Sequence, residues 1–276
     1  MQTKGKFILM NLQEFEGYIA NLDLTGLRKI THIQNHHTWS PSYRNFNGTN
    51  HFAKLENMEA DHIARKFGQI AQHFTTFPDG TIAACRPMSL EPTCIRLHNT
   101  GGICIENLGN FDIGADNMTA DQQYMIVQLN ALLCFKFNLV ADITDIVYHH
   151  WFKQSTGVRD GGKNDPQLKD HKTCPGTAFF GGNTETAATL YFIPAVQEAL
   201  DAYMAQPPQT DGPVVIPGIV NAEVLNIRGG PGTGFGIVGT LKRGAEVLVL
   251  KSEGEWDCIG DNRWVRSDFI ALTPSS

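Results

Sequence analysis

The chain has 276 residues, 42% of them hydrophobic and 18% charged, with a net charge of −6. That length supports one well-buried core plus a small second domain, and the composition excludes a disordered chain. The acidic balance argues against general nucleic-acid binding, and no apolar run is long enough for a membrane span or a secretory signal.

Leu12, Phe15, Tyr18, Ile19 and Leu22 recur at helical spacing, which predicts a short opening helix within residues 1–30. Residues 29–34 then alternate, as a half-buried strand does, and deliver His36 and His37 at the strand's end. Residues 53–67 read as a helix stopped by Gly68. Residues 70–77 and 81–85 flank Pro78-Asp79-Gly80, where proline presets φ and glycine accepts a positive φ, so a hairpin is expected. Residues 103–108 form a buried strand with one carboxylate, Glu106. Thr119-Ala120-Asp121-Gln122 reads as a capping box opening a helix whose apolar face is Met125, Leu129, Leu132 and Leu133. Another strand, 143–148, precedes an irregular Gly-, Lys- and Asp-rich excursion over 151–170, and 184–204 reads as a closing helix.

Residues 206–213, rich in Pro, Gln and Gly, are a linker by composition. Beyond it, 224–228, 236–239, 246–250, 256–259 and 263–265 read as short strands with Gly-rich turns, the pattern of a small β-barrel. The expected division is a catalytic domain over 1–205, a linker over 206–216 and a barrel over 217–276. The six cysteines stand at 85, 94, 104, 134, 174 and 258 with no CxxC pair, which argues against a zinc ribbon. Free thiols are the expectation without a signal peptide, with a Cys85–Cys94 bridge as the alternative.

Three distant segments carry metal-ligand chemistry. In Asp170-His171-Lys172-Thr173-Cys174-Pro175-Gly176, the Pro-Gly turn sets the direction of the Cys174 thiolate in advance. Asn35-His36-His37-Thr38 and Val147-Tyr148-His149-His150 each supply a pair of imidazoles. Two histidines and a cysteine leave zinc a fourth position for water, which is a catalytic rather than a structural pattern. A His-His pair alone is an ordinary polar strand end; the combination gives it weight. Glu106, on an otherwise apolar strand, reads as a pocket carboxylate. Lys172 reads as a cation able to stabilise an oxyanion beside the metal, against the plainer reading of a solvated loop lysine. Trp39, His73 and His98 read either as groove-lining residues or as packed structural ones.

In sequence, Ile33-Gln34-Asn35-His36-His37-Thr38, Ile103-Cys104-Ile105-Glu106-Asn107-Leu108-Gly109, Asp145-Ile146-Val147-Tyr148-His149 and Lys172-Thr173-Cys174-Pro175-Gly176 resemble, in that order, motifs of zinc-dependent N-acetylmuramoyl-L-alanine amidases, whose fold is shared with peptidoglycan recognition proteins. The resemblance covers roughly residues 30–200. It implies a mixed central sheet flanked by helices, with Zn2+ held by His36, His149 and Cys174; His37 and His150 are the adjacent alternatives. It implies Glu106 and Lys172 as catalytic groups and Trp39, His73 and His37 as substrate-binding ones. Two departures stand out: Gln72 occupies a position where the family often has tyrosine, which shifts acid/base work to Glu106, and the 151–170 excursion is long. The segment Leu225-Asn226-Ile227-Arg228-Gly229-Gly230-Pro231, with Trp256 and Trp264-Val265, resembles a bacterial SH3-like domain, which implies binding to cell-wall peptide.

The expected reaction is hydrolysis of the amide between N-acetylmuramic acid and L-alanine of peptidoglycan. The alternatives are a non-catalytic peptidoglycan-binding protein and a zinc peptidase cutting within the stem peptide. The expected partner is peptidoglycan, with no nucleic acid and no membrane. The expected setting is synthesis in the cytoplasm and action at the wall after release, as for a phage or prophage lysin or a host enzyme.

Overall fold

The computed structural model describes residues 1–162, 169–205, 216–260 and 262–272. It divides into two compact units, Met1–Gln206 and Pro207–Ser276. The predicted linker 206–213, and 163–168 of the predicted excursion, lie outside the described residues.

The first unit opens with strands β1 (Gln2–Lys4) and β2 (Phe7–Met10), a hairpin that helical periodicity did not reveal, followed by helix α1 (Leu12–Ala20). Asn11 caps α1 reciprocally with Glu14, whose carboxylate accepts from the Asn11 N–H. There follow β3 (His32–His37), α2 (His51–Ala64), β4 (Phe74–Thr76), β5 (Ile82–Ala84), β6 (Gly102–Asn107), α3 (Ala120–Phe137) and β7 (Ile146–Tyr148). The closing helix is a short α4 (Glu185–Ala187), a π turn over Ala188–Phe192 and α5 (Ile193–Ala205). The seven strands form one sheet in the order β1-β2-β5-β4-β6-β3-β7. The β4, β6, β3 and β7 neighbours are parallel, and β1, β2, β5 and β4 are joined antiparallel.

Side-chain alternation sorts the sheet into two faces. Ile33, Ile103, Ile105, Phe74 and Ile82 pack with Phe15 and Ile19 of α1, Leu129 and Leu133 of α3, and Val196 of α5. On the opposite face Phe7, Leu9 and Ala83 pack with Leu55 and Met58 of α2. Helix α2 thus packs on the antiparallel side of the sheet, and an open groove lies alongside it, with Glu106 and His36 of β6 and β3 among its lining. Strand β3 is buried on both faces from Ile33 to His37, not half-buried as its alternation suggests, because it lies between β6 and β7. One of its buried polar residues is satisfied across the β3–α3 interface, where the Asn35 and Asn130 amides bond each other.

Thr119 caps α3, its hydroxyl accepting from the Gln122 N–H at 3.2 Å. The reciprocal half of the predicted capping box is not made: the buried Gln122 amide donates instead to Thr76 and to the Leu108 carbonyl.

The second unit contains β8 (Ile216–Val220), β9 (Val224–Arg228), β10 (Ile237–Lys242), β11 (Glu246–Val249), β12 (Lys251–Glu253), β13 (Trp256–Gly260), β14 (Arg263–Arg266) and β15 (Ile270–Leu272). They pair antiparallel in two sheets, β10-β9-β14-β13-β12 and β11-β8-β15. Val220, Leu225, Ile227, Val247, Val249, Val265 and Ile270 fill the space within. The strands β8, β12 and β15 add to the five expected.

Candidate active site and metal centre

The C-terminal ends of parallel strands are where open α/β sheets place their sites. Here β3 and β6 are in register, with His36 opposite Glu106, so these two side chains share a face. His149 follows directly on β7, in a 3₁₀ turn over His149–Trp151. The His36 Nδ1 lies 3.2 Å from His149 Nδ1 and 3.4 Å from Cys174 Sγ. All three residues are buried, at 3%, 8% and 6% exposure, yet all border a groove of about 690 Å³.

Three donors converging on a common point fit a tetrahedral zinc, whose nitrogen ligands at about 2.0–2.1 Å stand roughly 3.3 Å apart. Their protonation fits as well. Burial, then the neighbouring His149 and Lys172, hold His36 neutral far below the ordinary imidazole range. Burial and Lys172 bring His149 down to about 3. Burial, with Glu106 nearby, pushes the Cys174 thiol well up, so the thiolate forms only when a cation arrives.

Cys174 is held by a dense set of bonds. Gly176 N–H donates to the Thr173 carbonyl, closing the turn, and the His150 N–H donates to the Cys174 carbonyl at 2.7 Å, tying the second and third ligand segments together. Asp112 accepts from Thr173 Oγ1 and from the Thr177 N–H, clamping both sides of the turn, and Asn183 donates to the Thr173 carbonyl. Gly176 adopts φ +120°, and a Cβ there would lie 2.5 Å from the Phe111 backbone carbonyl. Gly176→Ala is therefore expected to cost about 1–3 kcal/mol in backbone strain. It should lower the melting temperature and weaken metal uptake together; a titration showing both unchanged would mean the turn adapts freely.

The adjacent histidines are directed elsewhere. His150 Nδ1–H donates to the Lys172 carbonyl at 2.6 Å. His37 accepts the Phe111 N–H on Nδ1, though it still borders the groove. Its imidazole is brought down to about 4, chiefly by burial. His171 pairs with Asp160 at 2.9 Å.

Glu106 lies part-exposed in the groove. Loss of hydration pushes its carboxyl up to about 7, against the opposing pull of Lys172 and Arg65. Lys172 is exposed and borders the same groove. Trp39, 60% exposed, borders it too, its N–H bonded to the Gly109 carbonyl and its φ at +55°. Helix α2 contributes Lys54 and Asp61 to the groove's lining, and Arg65, which caps its C-terminus, adds a third charge.

His73 is a correction to the sequence reading. It is fully buried; its Nδ1 accepts the Cys104 N–H, and its Nε2 donates to the Leu90 carbonyl. With both nitrogens engaged it neither lines the groove nor has a nitrogen free for substrate. His98 bonds Gly157 and packs on Phe152. Gln72 is buried, its amide donating to Thr75. The cysteines are a second correction: Cys94 pairs with Cys104, while Cys85 is free. The candidate partners, 85, 94 and 104, are separated in sequence by spacings that only the β5–β6 geometry resolves. Asp112 and Asn183 were also missed, because each acts through backbone groups that carry no motif.

Residues 26–177, more than half of the chain, match the family described as N-acetylmuramoyl-L-alanine amidase. The chain belongs to this amidase family. The amidase hydrolyses the amide between N-acetylmuramic acid and L-alanine in peptidoglycan. Residues 223–271 match the bacterial SH3 domain family. Among solved structures, the amidase is similar to N-acetylmuramoyl-L-alanine amidase LysC from Clostridium intestinale URNW, at 23% identity over 59% of this chain and 85% of that one, with a TM-score of 0.41. It is similar also to Drosophila PGRP-LB, at 17% identity over 55% and 77% of the two chains and a TM-score of 0.43. Drosophila PGRP-SA gives 17% identity over 60% and 81%, with a TM-score of 0.44. No curated protein matches the chain. No helix among the described residues is long and apolar enough to cross a membrane.

Proposed function

We propose that the amidase is zinc-dependent, with His36, His149 and Cys174 as the metal's protein ligands. The observation that carries this reading is the convergence of His36 Nδ1, His149 Nδ1 and Cys174 Sγ beside a groove that also holds Glu106. Bound there, zinc supplies Lewis acidity, polarising a carbonyl and making water a stronger nucleophile near neutral pH.

The side chains do the rest. Glu106, with a proton affinity near neutrality, takes the proton from the attacking water and returns it to the departing L-alanine amine. Lys172 places its cation at the groove and stabilises the oxyanion that develops on the amide oxygen. Trp39 offers an aromatic face at the groove to sugar or peptide, and His37, held neutral, lines the approach. Digesting purified wall and weighing the products tests the reaction. Free glycan strands with intact stem peptides support it; cut stems indicate a peptidase, and unchanged wall indicates a binding protein.

The domain division proposed is catalytic domain 1–205, linker 206–216 and wall-binding domain 217–276. A truncation ending near residue 208 should keep its turnover of a small soluble muropeptide and lose much of its activity on intact wall. Tethering raises local substrate concentration only on a polymer that offers both sites at once. Equal losses on soluble and polymeric substrates, at matched metal content, would mean that the second unit completes the groove instead. Action at the wall follows release by lysis or another export route.

A further inference from the structure

The Cys94–Cys104 disulfide stands beside the candidate metal centre. Cys104 is two residues before Glu106 on β6, so both project to the groove face, and Cys94 borders the groove from the segment between β5 and β6. One ring nitrogen of His36 and the two sulfurs lie within 4.8 Å of one another. His36 uses Nδ1 for its contacts to His149 and Cys174, and its Nε2 is buried without a hydrogen-bond partner among the described residues. His36 thus belongs to two donor sets, one with His149 and Cys174, the other with the paired sulfurs.

The sulfurs would stay in place without the covalent bond. Cys104 is fully buried in the sheet. The Cys94 and Ile95 N–H groups both donate to Asn99 Oδ1, at 2.9 and 3.2 Å, and the Thr93 N–H donates to the Ala71 carbonyl. These bonds fix the backbone on both sides of Cys94 independently of the bridge. Cys94 is also part-exposed, so a reductant can reach its sulfur from the groove.

We propose that reduction of Cys94–Cys104 opens a second metal-ligand set, His36, Cys94 and Cys104, which shares its imidazole with the catalytic set. The inference rests on the reading of His36 as a metal ligand. Two thiolates and an imidazole favour zinc and similarly soft divalent ions. The reductant is a trialkylphosphine or a dithiol. With a phosphine, phosphorus attacks one sulfur, the S–S bond breaks and the other sulfur leaves as a thiolate. Water then cleaves the phosphorus–sulfur bond, giving the phosphine oxide and the second thiol. Two electrons pass from phosphorus to sulfur, and water supplies the oxygen and the protons. Each thiol loses its proton to solvent when the metal binds.

Cobalt(II) is the probe, because thiolate ligation gives it an intense charge-transfer absorption. The protein is the full chain carrying Cys174→Ser, which removes the catalytic thiolate. Oxidised, this variant should show no thiolate–cobalt band. Treated with a water-soluble phosphine, it should expose two further thiols, gain the band and bind about one cobalt. The band should vanish when Cys94→Ser and Cys104→Ser are added, and cobalt affinity should fall at least about tenfold with His36→Ala, since even disturbing the groups that support metal ligands costs that much. The other thiols are the same in both redox states, so the difference reports the pair. Two new thiols without a band, or a bridge that resists the phosphine in the folded protein, would overturn the proposal. The oxidised wild-type protein keeps the two readings apart: a single-thiolate band there comes from Cys174 and tests the catalytic centre alone.

Discussion

His36→Ala and Cys174→Ser should each leave the chain folded, carry little zinc and hydrolyse wall at least about a hundredfold more slowly. That is the scale reached by disturbing even the groups that orient metal ligands. The two substitutions act differently. His36→Ala removes the nitrogen whose Nδ1 lies within 3.2–3.4 Å of both other donors, leaving a pair with nothing between them. Cys174→Ser keeps the shape but replaces a thiol that a metal can deprotonate with a hydroxyl that stays protonated. Neither residue carries much of the apolar core, which lies on the other face of the sheet and under α2. The folded baseline should therefore survive. Elemental analysis and thermal melting check this together. A chelator should lower the wild-type melting temperature, because an ion bound only to the folded state stabilises it, and should leave both variants where they were. Full zinc content in both variants would remove His36 and Cys174 from the centre.

Glu106→Gln should retain metal and fold but lose about two to four orders of magnitude in turnover, the range for a general acid/base. Its signature is the pH profile. A carboxyl pushed up to about 7 is protonated below that pH and unable to accept a proton, so wild-type kcat/KM should rise as pH climbs through the neutral range. The residual activity of Glu106→Gln should lack that rise. The linkage sign follows from the same shift. The folded state keeps the Glu106 proton up to about 7, whereas the unfolded chain releases it near 4.5, the ordinary value of a glutamate. Across that window the folded state binds more protons, so this group's contribution to stability falls as pH rises. Denaturant unfolding of the metal-free protein at pH 5 and pH 8 should show a loss that Glu106→Gln lacks. Near-wild-type turnover in Glu106→Gln would move the proton transfer to another group. His73, which the sequence suggested as a groove residue, is excluded by its burial and its two engaged nitrogens.

The motifs were legible because their residues are tied to local structure. A strand that ends in histidines, a carboxylate on an apolar strand and a cysteine before Pro-Gly each stand out within a few residues. The proposed choice of His36 over His37, and of His149 over His150, comes from resemblance; the register that sets His36 opposite Glu106 and the Lys172 carbonyl that takes His150 support it. What stayed hidden is non-local. The β1–β2 hairpin is masked by the helical spacing just after it. The burial of β3 depends on neighbours 70 to 113 residues away, as its pairing of His36 with Asn107 and His149 illustrates. The Cys94–Cys104 pair follows from a crossover that brings the segment after β5 back against β6. The groove wall formed by α2 looks like an ordinary polar helix face in sequence.

The wide spread of the converging donors has a consequence for the timing of synthesis. His36 is near the start of the chain and Cys174 is 138 residues later, beyond α3 and β7. A growing chain emerges N-terminus first at about 5–20 residues per second, so the donors appear roughly 7 to 28 seconds apart. Until the Cys174 turn has docked against Asp112 and His150, a partial chain holds imidazoles and a carboxylate but lacks the third ligand proposed here, Cys174. If the proposed ligand set is right, wall-cutting competence arrives late and all at once, and fragments released by stalled or nicked synthesis should be inert.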